Sequence, residues 1–292
     1  MKRIMKIIFC LFLIYITAFY VKDNLALETD GLLSFIINNN SYSSASKSNQ
    51  IIKRVFNILA KKNVLDPNST LDNSILDIKE IPFNIPSDNN DEAIIYLYST
   101  HQTEEYQTLK NELYNFTPTV MTTSYILEDL LEEKGFKVIV EEKSVKKVLA
   151  ERKWDYSYSY RISREYMEQA KKDNPSLKYF IDIHRDAVFD KSISTKSING
   201  SNYAKIMFLL GQNRDNYENN LAIVKKLEAD LNKNYEGITR NTYFQKSYTY
   251  NQDFSDDTFL IEVGTTHNTI DEVYNSMVAL ADTLERYIGG KL

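Results

Sequence analysis

Cysteine is nearly absent from this 292-residue chain: the only one, Cys10, lies in an apolar N-terminal run. No intrachain disulfide can form, and no thiolate is available to hold a metal outside that run. Histidine is almost as scarce, with three residues, His101, His184 and His267. Any site that needs imidazole must draw on these three. Clustered Lys and Arg are missing too, and the net charge is −5. Phosphate backbones are bound by such clusters, so nucleic acid is excluded as a partner. There are no internal repeats. What the chain does have is a 43% hydrophobic composition, enough for a sizeable core in one large or two small domains.

The N-terminus carries the longest apolar stretch. Ile4 to Val21 contains one charge, Lys6, close enough to the end to reach the headgroups. The stretch is just long enough to span a bilayer. Residues 1–21 are therefore expected to be a transmembrane helix. The alternative is a cleaved secretory signal, but Thr17-Ala18-Phe19 and Asn24-Leu25-Ala26 are poor small-x-small sites. Lys2, Arg3 and Lys6 stand at its start and Asp23, Glu28 and Asp30 follow it, which places the rest of a single-pass chain on the extracytoplasmic side of the cell membrane. Residues 22–90 read as a connector or stalk. Short apolar stretches at Leu32 to Ile37 and Ile51 to Leu59 predict brief helices, separated by polar and Pro-containing runs that bury too little surface to order themselves.

From residue 91 to 292 the pattern alternates. Ala93 to Tyr98, Phe136 to Val140, Tyr179 to His184, Tyr203 to Leu210 and Thr258 to Val263 predict strands. Val120 to Lys134, Tyr156 to Lys172, Asn216 to Asn232 and Ile270 to Tyr287 predict helices. That order implies an α/β fold with a mostly parallel, mixed sheet flanked by helices. In such folds sites gather beyond the carboxyl ends of strands.

Three runs put chemistry there: Tyr98-Ser99-Thr100-His101-Gln102-Thr103-Glu104-Glu105, Asp182-Ile183-His184-Arg185-Asp186 and Leu260-Ile261-Glu262-Val263-Gly264. Two imidazoles and a carboxylate around an open position, with a second carboxylate as base, are what a zinc hydrolase requires. His101 and His184 are the candidate imidazole ligands. Glu104 and Glu105 both compete for the carboxylate place, and Glu104 is preferred because three residues allow one turn back beside His101. Asp182 shares a strand face with His184 and is a candidate to orient it, as is Asp186. Glu262, set among apolar residues, is costly to bury unpaired, and burial would raise its pKa toward that of a general base. Arg185 either holds a substrate carboxylate or neutralises the acids around it. His267 is a loop residue held in reserve as a ligand.

These runs, with Gly211-Gln212-Asn213, Asn216-Tyr217-Glu218-Asn219-Asn220 and Asn251-Gln252-Asp253, resemble the stage II sporulation protein P (SpoIIP) family, over about residues 91–292. The resemblance implies a zinc-dependent N-acetylmuramoyl-L-alanine amidase fold and a membrane-anchored peptidoglycan hydrolase of forespore engulfment. Such a hydrolase removes stem peptides and also cuts within them. It further implies His101, Glu104 and His184 as Zn2+ ligands and Glu262 as the catalytic carboxylate. Arg185, Asn251 and Gln252 are expected to bind substrate, and SpoIID-like and SpoIIM-like proteins to be partners. The alternative is a non-catalytic wall-binding or scaffold protein whose tyrosine-rich surface binds glycan.

Overall fold

The computed structural model describes residues 47–62, 92–110, 115–188 and 190–292. In chain order the elements are α1 (Lys47–Lys61), β1 (Ile95–Tyr98), β2 (Leu109–Lys110), β3 (Asn115–Phe116), α2 (Val120–Glu132), β4 (Val138–Val140), α3 (Val145–Arg152), a 3-10 turn (Tyr156–Tyr158), α4 (Ser159–Asp173), β5 (Tyr179–Asp186), α5 (Lys191–Ser194), β6 (Thr195–Ile198), β7 (Ser201–Ala204), β8 (Ile206–Gly211), α6 (Tyr217–Asn234), β9 (Tyr243–Gln245), β10 (Thr258–Thr265) and α7 (Ile270–Ile288).

One sheet organises them, in the order β4-β1-β5-β10-β8-β9. β4, β1, β5 and β10 run parallel, β8 is antiparallel to β10, and β9 is parallel to β8. This is the mixed, mostly parallel sheet expected. Its centre is apolar on both faces because helices cover it, which is why β1, β5 and β10 read as near-continuous hydrophobic runs. Tyr203 to Leu210, expected as one strand, breaks at Lys205. The residues before the break pair with β6 and those after it pair with β10. The Lys205 N–H donates to Ser194 O at 2.7 Å and its carbonyl accepts from the Gly264 N–H at 2.9 Å, so the chain changes partner at that residue.

The helix at Ile51 to Leu59 was expected within a connector. It is longer, as α1, and it packs on α2 and α7. Ile51, Val55, Ile58 and Leu59 recur at helical spacing and are buried. Burying each such side chain contributes roughly 1.5–3 kcal/mol relative to exposure. Arg54 adds contacts to Asp129 at 2.9 Å and Glu133 at 2.6 Å. The chain divides into units 1–43 and 44–292, and α1 belongs to the second, upstream of the boundary expected at residue 91. The anchor expected at residues 1–21 and the helix expected at Leu32 to Ile37 lie outside the described residues. Among the described residues no helix is long and apolar enough to cross a membrane.

Gly264 closes β10. Its φ is +63°, and the pairing of β10 with β5 shifts register between Glu262 and Thr265. A Cβ at this position would stand 2.5 Å from Asn268 Oδ1 and 2.9 Å from the Ala204 Cβ, so only glycine fits without displacement.

Candidate metal centre

β1 delivers the first two donors through the loop that leaves it. The Glu104 N–H donates to His101 O at 3.0 Å, a single turn that brings Glu104 back beside His101. Gln102 ties the loop down: its Oε1 accepts from the Val145 N–H and its Nε2 donates to Lys143 O, both at 2.9 Å. Glu104 O accepts from the Val120 N–H at 3.0 Å, and the Tyr106 N–H donates to Pro118 O at 2.8 Å. Bonds to several segments hold the donors on a firm support.

β5 brings His184 to the same place. His101 Nδ1 lies 3.4 Å from Glu104 Oε1, and His184 Nδ1 lies 3.4 Å from Glu104 Oε2. The two imidazole rings meet edge to face, 5.0 Å between centroids. One donor atom from each of His101, Glu104 and His184 falls within 4.8 Å of the others. Ligands about 2.0–2.1 Å from a tetrahedral ion stand roughly 3.3 Å apart, so each imidazole stands at about that spacing from one oxygen of Glu104. The residues therefore fit a divalent metal. Burial alone would raise the pKa of Glu104. His101, His184 and the Arg185 N–H, which donates to Oε2 at 3.0 Å, outweigh it and hold the carboxyl below its ordinary range. Glu105 is exposed and bridges to Thr119 instead.

The far edge of His184 is also held. Its Nε2 lies 3.0 Å from Asp182 Oδ1, in ion-pair range although the ring N–H is not aimed squarely at the oxygen. Asp182 is fully buried and fixed by Thr100, whose N–H donates to Oδ1 at 2.9 Å and whose hydroxyl donates to Oδ2 at 2.7 Å. Burial opposes charge on His184, but Asp182 and Glu104 overcome it and push its pKa well above the usual imidazole value. Holding a metal there would require the His184 ring without that proton. Asp186, the other candidate to orient His184, pairs with Arg240 at 2.5 Å.

Glu262 is the Cα partner of His184 across β10 and β5, so the two share a face of the sheet. It is half-buried, and its Oε2 is buried with no hydrogen-bond partner. Burial pushes its pKa up to about 7; His184 opposes the shift, while Glu104, Asp186 and Asp182 add to it. An acid with that proton affinity can both take and give a proton near neutrality.

The residues expected to bind substrate also make contacts within the protein. Arg185 braces the ligand loop, its Nε donating to Glu105 O at 2.9 Å. Asn251 is buried, its amide donating to Tyr160 O at 2.9 Å and Ser163 Oγ at 3.0 Å. Gln252 is fully buried: Oε1 accepts from the Gly211 N–H at 3.0 Å and from Arg214 at 3.1 Å, and Nε2 donates to Leu209 O at 2.7 Å. These two amides hold their loop to α4 and β8. His267 is not among the gathered donors.

Tyrosines that sequence reasoning did not single out line the centre. Tyr156, which is exposed, stacks on His101 at 4.5 Å. Tyr160 meets His101 edge-on at 5.5 Å and lies nearly parallel to His184 at 6.4 Å. Tyr250 packs against Tyr160 at 5.3 Å. No spacing marks them, because the 3-10 turn, α4 and the loop after β9 reach the site only through the fold.

Comparison with known proteins gives the following. Two solved structures overlap partially: the N-acetylmuramoyl-L-alanine amidase AmiC2 of Nostoc punctiforme (13% identity, TM-score 0.39, covering 67% of this chain and 97% of that one) and the apo N-acetylmuramyl-L-alanine amidase Ami1 from Mycobacterium abscessus (11%, TM-score 0.35, 66% and 98%). Superposition at this level does not assign a fold. The stage II sporulation protein P of Bacillus subtilis (strain 168) is 30% identical over 202 residues, 66% of this chain, and the chain spans about half (50%) of that relative's length. The profile of the family Stage II sporulation protein P (SpoIIP) matches residues 23–285. By that match, over most of its length, the chain belongs to the stage II sporulation protein P family.

Proposed function

We propose that this protein is a zinc-dependent peptidoglycan hydrolase that cleaves the amide between N-acetylmuramic acid and the L-alanine of the stem peptide. The observation that carries the reading is the pairing of Glu262 with His184 across β10 and β5, beside the gathered donors of His101, Glu104 and His184. Two imidazoles and one carboxylate are a donor set that suits Zn2+. Zn2+ bound there supplies Lewis acidity, lowering the pKa of a water and polarising the amide carbonyl. His101, Glu104 and His184 would hold the ion, and Asp182 sets the ring of His184. Glu262 accepts the proton of the attacking water as the C–O bond forms, and delivers it to the alanine nitrogen as the C–N bond breaks. Tyr156, exposed beside His101, offers a flat face to a sugar ring.

The proposed setting is the extracytoplasmic face of the cell membrane during forespore engulfment, with residues 1–21 as a single-pass anchor. SpoIID-like and SpoIIM-like proteins are the proposed partners, and cutting within the stem peptide a proposed second activity. Family membership supports the sporulation setting, and the apolar run with its flanking charges supports the anchor and its orientation. The test is mass spectrometry of the soluble products that the full chain releases from purified peptidoglycan, with and without a chelator. Chelator-sensitive release of stem peptides with a free L-alanine amine is expected. Release that is indifferent to the chelator, or products cut only inside the peptide, removes the zinc amidase reading.

A further inference from the structure

Beside the metal centre stands a group of cations with a single carboxylate to balance it. Lys205 is half-buried at the break between β7 and β8, and its backbone carbonyl holds Gly264, two residues beyond Glu262. The Arg240 N–H donates to O of the next residue, Ile206, at 2.7 Å. Its side chain reaches Asp186 at 2.5 Å. Asp186 lies two residues beyond His184 on β5, on the same face, a step of roughly 6.6 Å along a strand. Lys196, on β6, lies over Gly237: a Cβ there would come 3.1 Å from its Cε and 3.2 Å from its Nζ. Glycine leaves that room open.

Lys205 faces Arg240 and Lys196. Burial and those two like charges hold its ammonium below the ordinary lysine range. Among the described residues, the ammonium groups of Lys205 and Lys196 have no hydrogen bond or ion pair. Asp186 is the one carboxylate engaged, and it is bound to Arg240. A half-buried ammonium that meets only like charges is unfavourable by itself and becomes favourable when an anion arrives.

We propose that Lys205, Arg240 and Lys196 form a carboxylate-binding subsite next to the metal centre, which recognises the acidic second residue of the stem peptide. The proposal rests on the hydrolase reading above. Asp186, which Arg240 holds, stands one such strand step from His184, and an extended peptide likewise covers roughly 7 Å in two residues from the scissile amide. A free carboxylate there replaces the missing counter-charge, and an amidated one does not.

The experiment uses the full chain in detergent micelles with Zn2+, carrying Glu262→Gln to stop turnover. Two probes are compared by fluorescence anisotropy: coumarin-labelled N-acetylmuramoyl-L-alanyl-D-glutamate and its diamide. The diacid is expected to bind roughly tenfold tighter than the diamide, the range of a charge-assisted contact. Lys205→Gln should abolish that preference without weakening diamide binding, and Lys205→Arg should keep it. Lys196→Gln, on the exposed side of a hairpin, should reduce it. Equal binding of the two probes, equal weakening of both by Lys205→Gln, or no binding of either overturns the subsite. Cleavage of the diacid by the unmutated chain is scored separately. Selective binding without cleavage keeps the subsite and removes the hydrolase reading; cleavage without selectivity does the reverse.

Discussion

Asp182 Oδ1 lies 3.0 Å from Nε2 of His184, while Nδ1 of the same ring faces Glu104 at 3.4 Å. One edge of the imidazole is thus held in place while the other is presented to the site. Replacing Asp182 by Asn keeps the shape and removes the charge that sets the ring. Affinity for Zn2+ is expected to fall 10–100-fold, the usual cost of losing such a partner. Competition with a chromogenic chelator measures it, and unchanged affinity would show that Asp182 does no more than secure Thr100.

Glu262→Gln separates proton transfer from metal binding. Glu262 is not one of the three gathered donors, so metal content should be unchanged. Turnover should drop by about 10²–10⁴, the typical contribution of a general base. Metal analysis and product release on the same preparation check both halves; a variant that loses its metal would make Glu262 a ligand instead.

Glu128 on α2 ties pH to stability. It is 1% exposed, with Oε1 bonded to Lys62 at 2.6 Å and Oε2 buried without a partner. Burial, offset only in part by Lys62, pushes its pKa from 4.5 up to about 7. Between those values the folded state holds a proton that the unfolded chain releases. Its contribution therefore makes stability fall as pH rises from about 4.5 to 7, then level off. Glu128→Gln should flatten that part of the profile. Urea midpoints at several pH values test it, and an identical profile in the variant excludes Glu128 as a source.

Gly264→Ala asks a residue with a Cβ to adopt a φ of +63° against Asn268 and Ala204. Strain and overpacking of this kind cost about 1–3 kcal/mol each. A lowered denaturation midpoint is expected, with reduced turnover because the bulge begins at Glu262. A midpoint equal to that of the unmutated protein would mean that the loop before α7 yields freely.

Much of the fold was legible in the sequence, and the reason is local. β1, β5 and β10 are near-continuous apolar runs, and α2, α4, α6 and α7 follow helical periodicity, so neither needs knowledge of neighbours. α3 was missed because only Val145 and Leu149 of its eight residues are buried, too few to show a period. The break at Lys205 was missed because pairing partners change there, and partners are not written in the strand itself. The docking of α1 was hidden for the same kind of reason. Its apolar stripe was visible, but the surface that covers it belongs to α2 and α7, far along the chain.

The site divides in the same way. Scarcity of histidine pointed to His101 and His184, and an acid inside an apolar run pointed to Glu262. Those choices depend on composition and on short spacing, which the sequence by itself determined. Which acid does which work was decided only by the tertiary structure. Asp182 and Asp186 share one strand face, and spacing cannot tell them apart. Thr100, from the loop after β1, fixes the first beside His184, and Arg240, from beyond α6, claims the second. Asn251 and Gln252, expected to meet a substrate, also bond to α4 and β8. Local chemistry sets what a side chain can do, and the packing of distant segments sets what remains for it to touch.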